Sequence, residues 1–416
     1  MRVLFVPFGS EGDLNPLIWL AEGMAERGHT PVFLVTPHYS RLIERLGFDW
    51  FPMGTEEDFV TWARNPLVWD RLQGPHFVVK GMVATLEEYR AGFAAAGTDY
   101  DLVVTSSFAL AAAALAEQAD LPRLALHMQP VCIRSEYDCP LFMDELGWIC
   151  RSPRWVKRLF FRLVDLGFWG AALRPLNKFR REIGVPPIRH FMDDAVNGAK
   201  GLAGLFPEWF AAPQPDWPAH LRLFGFPVSR RKAALPPELE TFLAEGEPPL
   251  VWTHGSANFD IEHFQKRALA ASQELGMRCL LVSLDPPKGP LPPGAFHATH
   301  ARFEDLFPRA RIVIHHGGIG TTAKCIMSGV PQLIIPRSHD QPDNAQRIVK
   351  LGLGETLRYK NIDTPALAET LRKLLGSPSI AENCRRYREK MQTEDRLPAL
   401  CDWAEALAKP STTRGN

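Results

Sequence analysis

The sequence lacks an excess of charge of either sign, because 47 lysines and arginines balance 47 aspartates and glutamates. A nucleic-acid-binding protein needs a basic surface to neutralise phosphates, so we expect no nucleic-acid partner. Cysteine is also scarce: the chain has seven among 416 residues, an odd number without the paired spacing of a metal site. This usage is typical of a reduced, cytosolic protein.

Long apolar runs are missing as well. No stretch approaches the roughly 20 apolar residues that a membrane-spanning helix requires. The first residues do not follow the pattern of a secretory signal peptide, because only a short apolar segment separates Arg2 from Gly9. We therefore expect a cytoplasmic protein. The length and the hydrophobic content of 46% predict two or three domains with large cores.

The sequence does contain a regular alternation of apolar strands and helical segments. Strands are predicted at residues 3–8, 32–36, 102–105 and 123–126, and again at 250–253, 279–283, 312–314 and 332–335. Such alternation predicts parallel sheets with crossover helices. The basic, proline-rich segment 226–237 interrupts the pattern and is interpreted as a linker. The sequence thus predicts two α/β halves with a cleft between them.

The segment 315–322, His-His-Gly-Gly-Ile-Gly-Thr-Thr, follows a predicted strand and precedes a predicted helix. Its glycines allow a ligand to approach the backbone closely. The free amides and the positive dipole end of the following helix favour a diphosphate. The residues expected to bind it are His316, Gly317, Gly318, Gly320 and Thr321, with His315 and Thr322 as further candidates.

A second loop follows the next predicted strand and carries Asp340 and Gln341. A carboxylate and an amide at this position are suited to hydrogen-bond sugar hydroxyls, and Asn344 is a further candidate. The histidines of both loops, together with Asp340, are also types that bind metals. The intervening glycines and threonines serve a phosphate better than a metal, so we expect no metal site.

These residues and their spacing resemble the donor site of glycosyltransferase family 1, whose members use UDP- or dTDP-sugars. The resemblance rests on His316-Gly317-Gly318, Gly329-Val330-Pro331, Asp340-Gln341 and Asn344. The doubled histidine and the Gly-Thr-Thr are most similar to the sterol and glycopeptide-antibiotic branches. The resemblance also implies that Gly255 and Ser256 face the diphosphate or the base, and the alternative is an ordinary strand-to-helix turn. The helix dipole, His316 and the hydroxyls can stabilise a leaving diphosphate without an ion, so we expect no cofactor.

The fold that the resemblance implies is α/β of the GT-B type, with two doubly wound Rossmann-like domains facing a central cleft. Residues 1–228 would form the acceptor-binding domain and residues 229–395 the nucleotide-sugar-binding domain. A final helix at about 396–408 would pack back on the first domain.

The loop after the first predicted strand, Gly-Ser-Glu-Gly-Asp-Leu-Asn-Pro at 9–16, forms a second site. In open α/β sheets, ligands bind beyond the carboxyl ends of the strands. The resemblance places a catalytic aspartate at Asp13, which we interpret as the general base, with Ser10 and Gly12 as further candidates. The alternative is that Asp13 caps the following helix, and one residue can do both.

Two positions depart from the family pattern. Much of the family has a glutamate for the ribose where this chain has Lys324, which can donate to ribose or diphosphate oxygens or simply lie exposed on its helix. The segment 300–303 lacks the tryptophan that contacts the base in other branches. The choice between uracil and thymine therefore stays open. Asp99 and Asp101 form an Asp-x-Asp pair, but in the half without a donor loop, so we expect no metal there.

The acceptor side is predicted from residues 132–180, which are rich in aromatics and arginines. Pro153 is expected to open a helix with an apolar face of Trp155, Leu159, Leu163 and Leu166. Such a face can bind a lipid-like acceptor or lie on a membrane surface. The interpretation we favour is the commoner one, in which it packs on its own sheet.

Segments 205–210, 214–218, 225–227 and 253–256 are similar to the rhamnosyltransferases of rhamnolipid synthesis. That likeness implies a dTDP-rhamnose donor and a hydroxy-fatty-acid acceptor. The sequence therefore predicts an inverting glycosyltransferase that moves a sugar from a UDP- or dTDP-sugar to a hydroxyl of a small hydrophobic acceptor. The alternatives are a sugar-nucleotide epimerase of the same fold and a non-catalytic binding subunit. A location at the inner face of the membrane is a further expectation.

Overall fold

The computed structural model describes residues 1–229, 234–254 and 261–408. The first parallel sheet has seven strands in the order β3-β2-β1-β4-β5-β6-β7. These strands are β1 Arg2–Val6, β2 Thr30–Val35, β3 Asp49–Pro52, β4 Leu102–Ser106, β5 Arg123–His127, β6 Gly201–Gly204 and β7 Leu221–Leu223.

The second parallel sheet has six strands in the order β10-β9-β8-β11-β12-β13. They are β8 Leu250–Thr253, β9 Cys279–Val282, β10 Ala295–Ala298, β11 Ile312–His315, β12 Gln332–Ile334 and β13 Gly354–Thr356. In each sheet the chain first adds strands on one side of its first strand and then continues on the other side. This doubly wound topology opens a crevice at the carboxyl edge of the sheet.

Helices connect the strands of each sheet. In the first half they are α1 Glu11–Glu26, α2 Ser40–Arg45, α3 Glu56–Ala63, α4 Gly74–Ala84, α5 Leu86–Ala96, α6 Leu110–Gln118, α7 Gly147–Cys150, α8 Arg154–Phe168 and α9 Arg174–Glu182. In the second half they are α10 Pro237–Ala244, α11 Ile261–Glu274, α12 Phe303–Leu306, α13 Ile319–Ser328, α14 Gln341–Leu351, α15 Thr364–Leu375 and α16 Pro378–Thr393, followed by α17 Leu397–Leu407. The expected α/β class and the two doubly wound Rossmann-like halves are confirmed.

The two halves share part of their apolar core. Phe206, Phe210 and Phe226 of the first half are buried in one cluster with the second sheet and its helices. Helix α17 returns to the first half, where Leu397 and Cys401 pack against Gly23 of α1. A Cβ atom on Gly23 would lie 2.9 Å from Leu397 Cδ1, so glycine allows this close approach.

Helix α8 contradicts the interpretation that its apolar face packs on the sheet. Trp155, Leu159, Leu163 and Leu166 are 66%, 50%, 58% and 71% exposed. The opposite face is the inner one: Lys157 donates to the Glu136 carbonyl, and Phe161 is buried.

Among the described residues, no helix has both the length and the apolar character to cross a bilayer.

Candidate functional site

The phosphate-type loop lies where β11 meets α13. Gly317 has φ +94°, and a Cβ there would lie 2.6 Å from Ile334 Cγ2 on the neighbouring strand, so only glycine fits. Helix α13 begins at the N-cap Gly318, and no side chain caps it. Of the first-turn amides, that of Ile319 donates to the Asp340 carboxylate. Those of Gly320 and Thr321, with the helix dipole, favour an anion.

His315 stabilises this loop through both of its ring nitrogens. Its Nδ1 accepts a hydrogen bond from the Gly317 amide at 3.1 Å, and its Nε2 pairs with Gln332 Oε1 at 3.0 Å. Burial lowers the pKa of His315 to about 4, so the ring is neutral, with the proton on Nε2 facing the amide oxygen. Both ring nitrogens are hydrogen-bonded, so His315 stabilises the turn that begins at His316.

His316 lies against the backbone of the same turn. A Cβ on Gly318 would lie 2.6 Å from His316 Nε2, and His316 Nδ1 has no hydrogen-bond partner among the described residues. Burial, with His315 and His254 nearby, keeps the pKa of His316 well below its ordinary value. The ring is therefore neutral, and a polar ligand can supply a partner for its Nδ1.

The other predicted donor residues lie at different depths. Gly320 is exposed and Thr321 half-buried at the start of α13, whereas Thr322 is buried with an unpartnered hydroxyl in the described part of the chain. Lys324 points away from the loop, because its ammonium pairs with Glu304 at 3.3 Å and lies over the Phe303 ring. The predicted Gly255 and Ser256 lie outside the described residues.

The second predicted loop is held together by its own polar residues. The Gln341 side-chain oxygen accepts from the backbone amides of Arg337 and Ser338, at 2.8 and 3.3 Å. Asn344 Nδ2 donates to the Gly317 carbonyl at 2.9 Å and to Asp340 Oδ2 at 2.7 Å. Asn344 thereby ties the sugar-type loop to the phosphate-type loop, a role that the sequence did not predict.

Asp340 is half-buried at the edge of the cleft. Burial raises the pKa of its carboxyl to about 6, although hydrogen bonds from Asn344 and the Ile319 amide favour the charged form. Because that amide opens α13, a sugar bound at Asp340 would lie beside a diphosphate at the helix N-terminus.

Asp13 belongs to a capping box at the start of α1. Its Oδ2 accepts from the Ser10 amide at 3.0 Å, and the Ser10 hydroxyl accepts from the Gly12 amide at 3.2 Å. Gly9, with φ +110°, leaves room for this carboxylate, since a Cβ there would lie 2.4 Å from Asp13 Oδ2. The capping role predicted as the alternative is therefore present.

The raised pKa of Asp13 indicates a role in addition to capping the helix. Burial raises the pKa of its carboxyl to about 7, and the negative charge of Asp340 raises it further, against the hydrogen bonds from Ser10. Asp340 belongs to the other half, so this effect links residues of both halves. A carboxylate with a pKa near neutrality can accept a proton under physiological conditions.

One residue of this region, Cys132, was missed at the sequence level because it belongs to no motif and is placed by the tertiary fold. Cys132 is buried close enough for Asp13 and Asp340 to help raise its thiol pKa, after burial itself, to about 12. His339, which stands directly before Asp340 in the second predicted loop, donates from Nε2 to the Val68 carbonyl of the first half at 2.7 Å.

A buried ion-pair network also joins the halves. Arg347 pairs with Asp343 on its own helix at 2.8 Å and with Asp138 of the first half at 2.9 Å. The Leu141 amide donates to Asp343 at 3.1 Å. Because α14 starts at Gln341, this network sets the position of the Asp340 loop over the cleft.

A cavity of about 320 Å³ lies between the halves beside this loop. It is lined by Trp69 and Asp70 of the first half and by Arg337, Pro342 and Tyr359 of the second. In the described residues, no group of three or more His, Cys, Asp or Glu side chains is arranged to hold a metal ion.

The chain is similar in sequence to known proteins. Residues 284–401 match the family model described as the C-terminal domain of erythromycin biosynthesis protein CIII-like proteins. The chain is 29% identical over 431 aligned positions to O-mycaminosyltylonolide 6-deoxyallosyltransferase of Streptomyces fradiae, covering 99% of both chains.

Solved structures match the fold over the whole chain. The glycosyltransferase of kitacinnamycin superposes with a TM-score of 0.70 at 19% identity, covering 98% of both chains. Glycosyltransferase VinC, solved with dTDP, superposes with a TM-score of 0.68 at 19% identity, covering 98% of this chain and 99% of its own. The fold is therefore GT-B. Together with the relatives, it supports a sugar-transfer enzyme.

Proposed function

We propose that this protein moves a sugar from a UDP- or dTDP-sugar to a hydroxyl of a small lipophilic acceptor, with inversion at the anomeric carbon. The observation that carries the proposal is that Asp13 and Asp340, from opposite halves, lie close enough for the charge of Asp340 to act on Asp13, while Asp340 accepts the first amide of α13. This arrangement supports a base, a sugar ligand and a diphosphate site around one point of the cleft.

The chemistry follows from this arrangement. The Asp13 carboxylate takes the proton of the acceptor hydroxyl as its oxygen bonds to the anomeric carbon. The bond from that carbon to the diphosphate breaks, and the leaving charge is received by the α13 amides and His316. Asp340 and Gln341 hold the sugar hydroxyls. One displacement inverts the anomeric centre, and we propose that no metal is required.

The acceptor side of Asp13 is apolar. Phe8 comes directly before the Asp13 loop, and its ring meets Trp62 edge to face at 6.1 Å. Both residues are half-buried. This surface supports a lipophilic acceptor. We retain rhamnose and a hydroxy-fatty acid as the first donor sugar and acceptor to be tried, because of the sequence likeness described above.

A donor screen with a matched variant tests the diphosphate site. Thermal melting with dTDP, UDP and their sugars should show stabilisation by a bound donor. His316→Ala should weaken nucleoside-diphosphate binding by about 1.5–3 kcal/mol, because a hydrogen bond to a charged group is lost. The exposed His76→Ala serves as control. Equal affinity for His316→Ala and wild type would remove His316 from the site.

We also propose that helix α8 brings the protein to an anionic membrane surface. Its exposed leucines and Trp155 form one outward face, flanked by the exposed Arg154, Arg158 and Arg162. An amphipathic helix with this composition lies in the interface of a bilayer, where Arg162 can meet lipid phosphates while Arg154 and Arg158 pair with Glu136. A protein held there is close to a lipophilic acceptor.

Vesicle sedimentation tests the membrane proposal. The protein should sediment with phosphatidylglycerol vesicles more than with phosphatidylcholine vesicles, and less at high salt. A double variant, Leu163→Ser with Leu166→Ser, should lose most of this binding. Leu284→Ser, which changes an equally exposed leucine of the second half, should retain it. Binding that survives the double variant would refute the proposal.

A further inference from the structure

A second polar pocket lies in the first half, on the opposite edge of the sheet from Asp13. Its volume is about 360 Å³. Arg123 opens β5 and Lys200 precedes β6, so both lie at the amino ends of their strands, whereas the Asp13 loop follows a carboxyl end. Helices α6 and α9 contribute Glu117 and Arg180 to the lining.

The two arginines of this pocket are both deeply buried. Arg123 is 8% exposed and Arg180 is 6% exposed. Burying a guanidinium is costly unless its charge is paired and its five N–H donors are hydrogen-bonded. Each of these two guanidiniums should therefore have a counter-charge and hydrogen-bond acceptors around it.

Arg180 is well satisfied. Its Nε donates to the Pro186 carbonyl at 2.6 Å, and its Nη2 donates to Glu117 Oε2 at 2.7 Å. Arg123 is not. In the described part of the chain, its guanidinium shows one hydrogen bond, a long one of 3.4 Å from Nη1 to the Thr105 hydroxyl.

The charges around Arg123 are also unbalanced. Burial lowers its pKa to about 10, Glu117 opposes this shift, and the positive charge of Arg180 adds to it. Glu117 is half-exposed and already bonded to Arg180. Asp194 also lines the pocket, but its carboxylate accepts the amides of Arg189 and His190. Asp120 also lines the pocket but is exposed, so Glu117 is the carboxylate that acts on both buried cations.

We propose that this pocket binds a small molecule through a carboxylate or phosphoryl group that pairs with Arg123. A guanidinium fork matches both oxyanions with two parallel hydrogen bonds. The bound anion supplies the counter-charge that Arg123 lacks, and Lys200 lies at the same pocket to assist. This site is separate from the nucleotide-sugar site and does not depend on the function proposed above.

Equilibrium dialysis with inorganic phosphate, and separately with citrate, tests the proposal on the full chain. Parallel dialysis with His316→Ala shows how much anion the donor site takes, and chloride at equal ionic strength is the reference. Wild type should bind at least one of the two anions. Arg123→Met should weaken that binding roughly tenfold or more, because charge-assisted hydrogen bonds are lost. Arg181→Met, an exposed arginine next to Arg180, should leave it unchanged.

A second variant keeps the test decisive if Arg123→Met does not fold. Glu117→Gln removes a half-exposed carboxylate that competes for the arginines, so it should tighten binding of the same anion several-fold. Unchanged or weaker binding by Glu117→Gln, binding by Arg123→Met equal to wild type, or binding of neither anion to wild type would each overturn the proposal.

Discussion

Replacing Asp13 with asparagine is expected to lower the rate of sugar transfer by roughly 10²–10⁴-fold, the usual contribution of a general base. The fold should persist, because the asparagine oxygen can still accept the Ser10 amide and asparagine is a good cap. Affinity for a nucleoside diphosphate should also persist, since the diphosphate lies at α13. Melting temperature, calorimetric affinity and initial transfer rate are the three measurements.

The pH dependence should separate a base from a cap. Because the pKa of Asp13 is raised to about 7, its carboxyl is protonated and inactive at lower pH. Wild-type kcat/KM should therefore rise with pH and level off above about 7. The asparagine variant should lack this step. Glu11→Gln, in the same first turn but exposed, is the control. Near-normal transfer by Asp13→Asn would leave only the capping role.

Arg347→Met should be the most destabilising change outside the sheets. Arg347 is buried between Asp343 and Asp138, and its loss leaves two carboxylates without their cation. Removing one partner of such a buried network costs about 3–5 kcal/mol of unfolding free energy. Denaturant unfolding monitored in both halves is the measurement.

The control for Arg347 is Arg372→Met, which breaks an exposed ion pair with Glu274 and should cost about 0–1 kcal/mol. A similar small cost for Arg347→Met would show that the network contributes little to joining the halves. A large cost accompanied by weaker binding of the nucleotide sugar is expected, because the same helix begins at the Asp340 loop.

The sequence predicted the parts of the fold that have strong local signals. Buried, largely apolar strands such as β1, β4 and β8 were found within two residues, because burial makes them nearly continuous hydrophobic runs. The four edge strands β3, β7, β10 and β13 were missed, because they are three or four residues long and partly exposed, so their composition does not differ from that of a loop. The buried strand β6 was also missed, because two of its four residues are glycines.

The orientation of α8 shows another limit. The spacing of its apolar residues predicts an amphipathic helix, but the period alone cannot tell which face meets the sheet. Here the buried face contains Lys157, which reaches the Glu136 carbonyl through its long stem. A lysine in the inner face and leucines outside reverse the usual assignment, and only the packing shows it.

The sequence predicted the candidate site as separate loops acting in one cleft, but it did not predict how their residues influence one another. Asp13 and Asp340 belong to different halves, so the effect of the Asp340 charge on Asp13 arises only when the halves pack together. The structural roles of Asn344 and the Gln341 oxygen depend on the backbone of a folded loop. A motif indicates residue types that suit a ligand, but it does not show which atoms are already engaged.

The most direct measurement of the central claim is product analysis with the stabilising donor and a panel of hydroxy-fatty-acid and other lipophilic acceptors, in the presence of EDTA. We predict an acceptor–sugar conjugate of inverted anomeric configuration and one nucleoside diphosphate released per conjugate. An epimerised nucleotide sugar without a conjugate would indicate an epimerase on the same fold. A donor that binds but stays unchanged with every acceptor would indicate a binding subunit. Either result would contradict sugar transfer at the Asp13–Asp340 cleft.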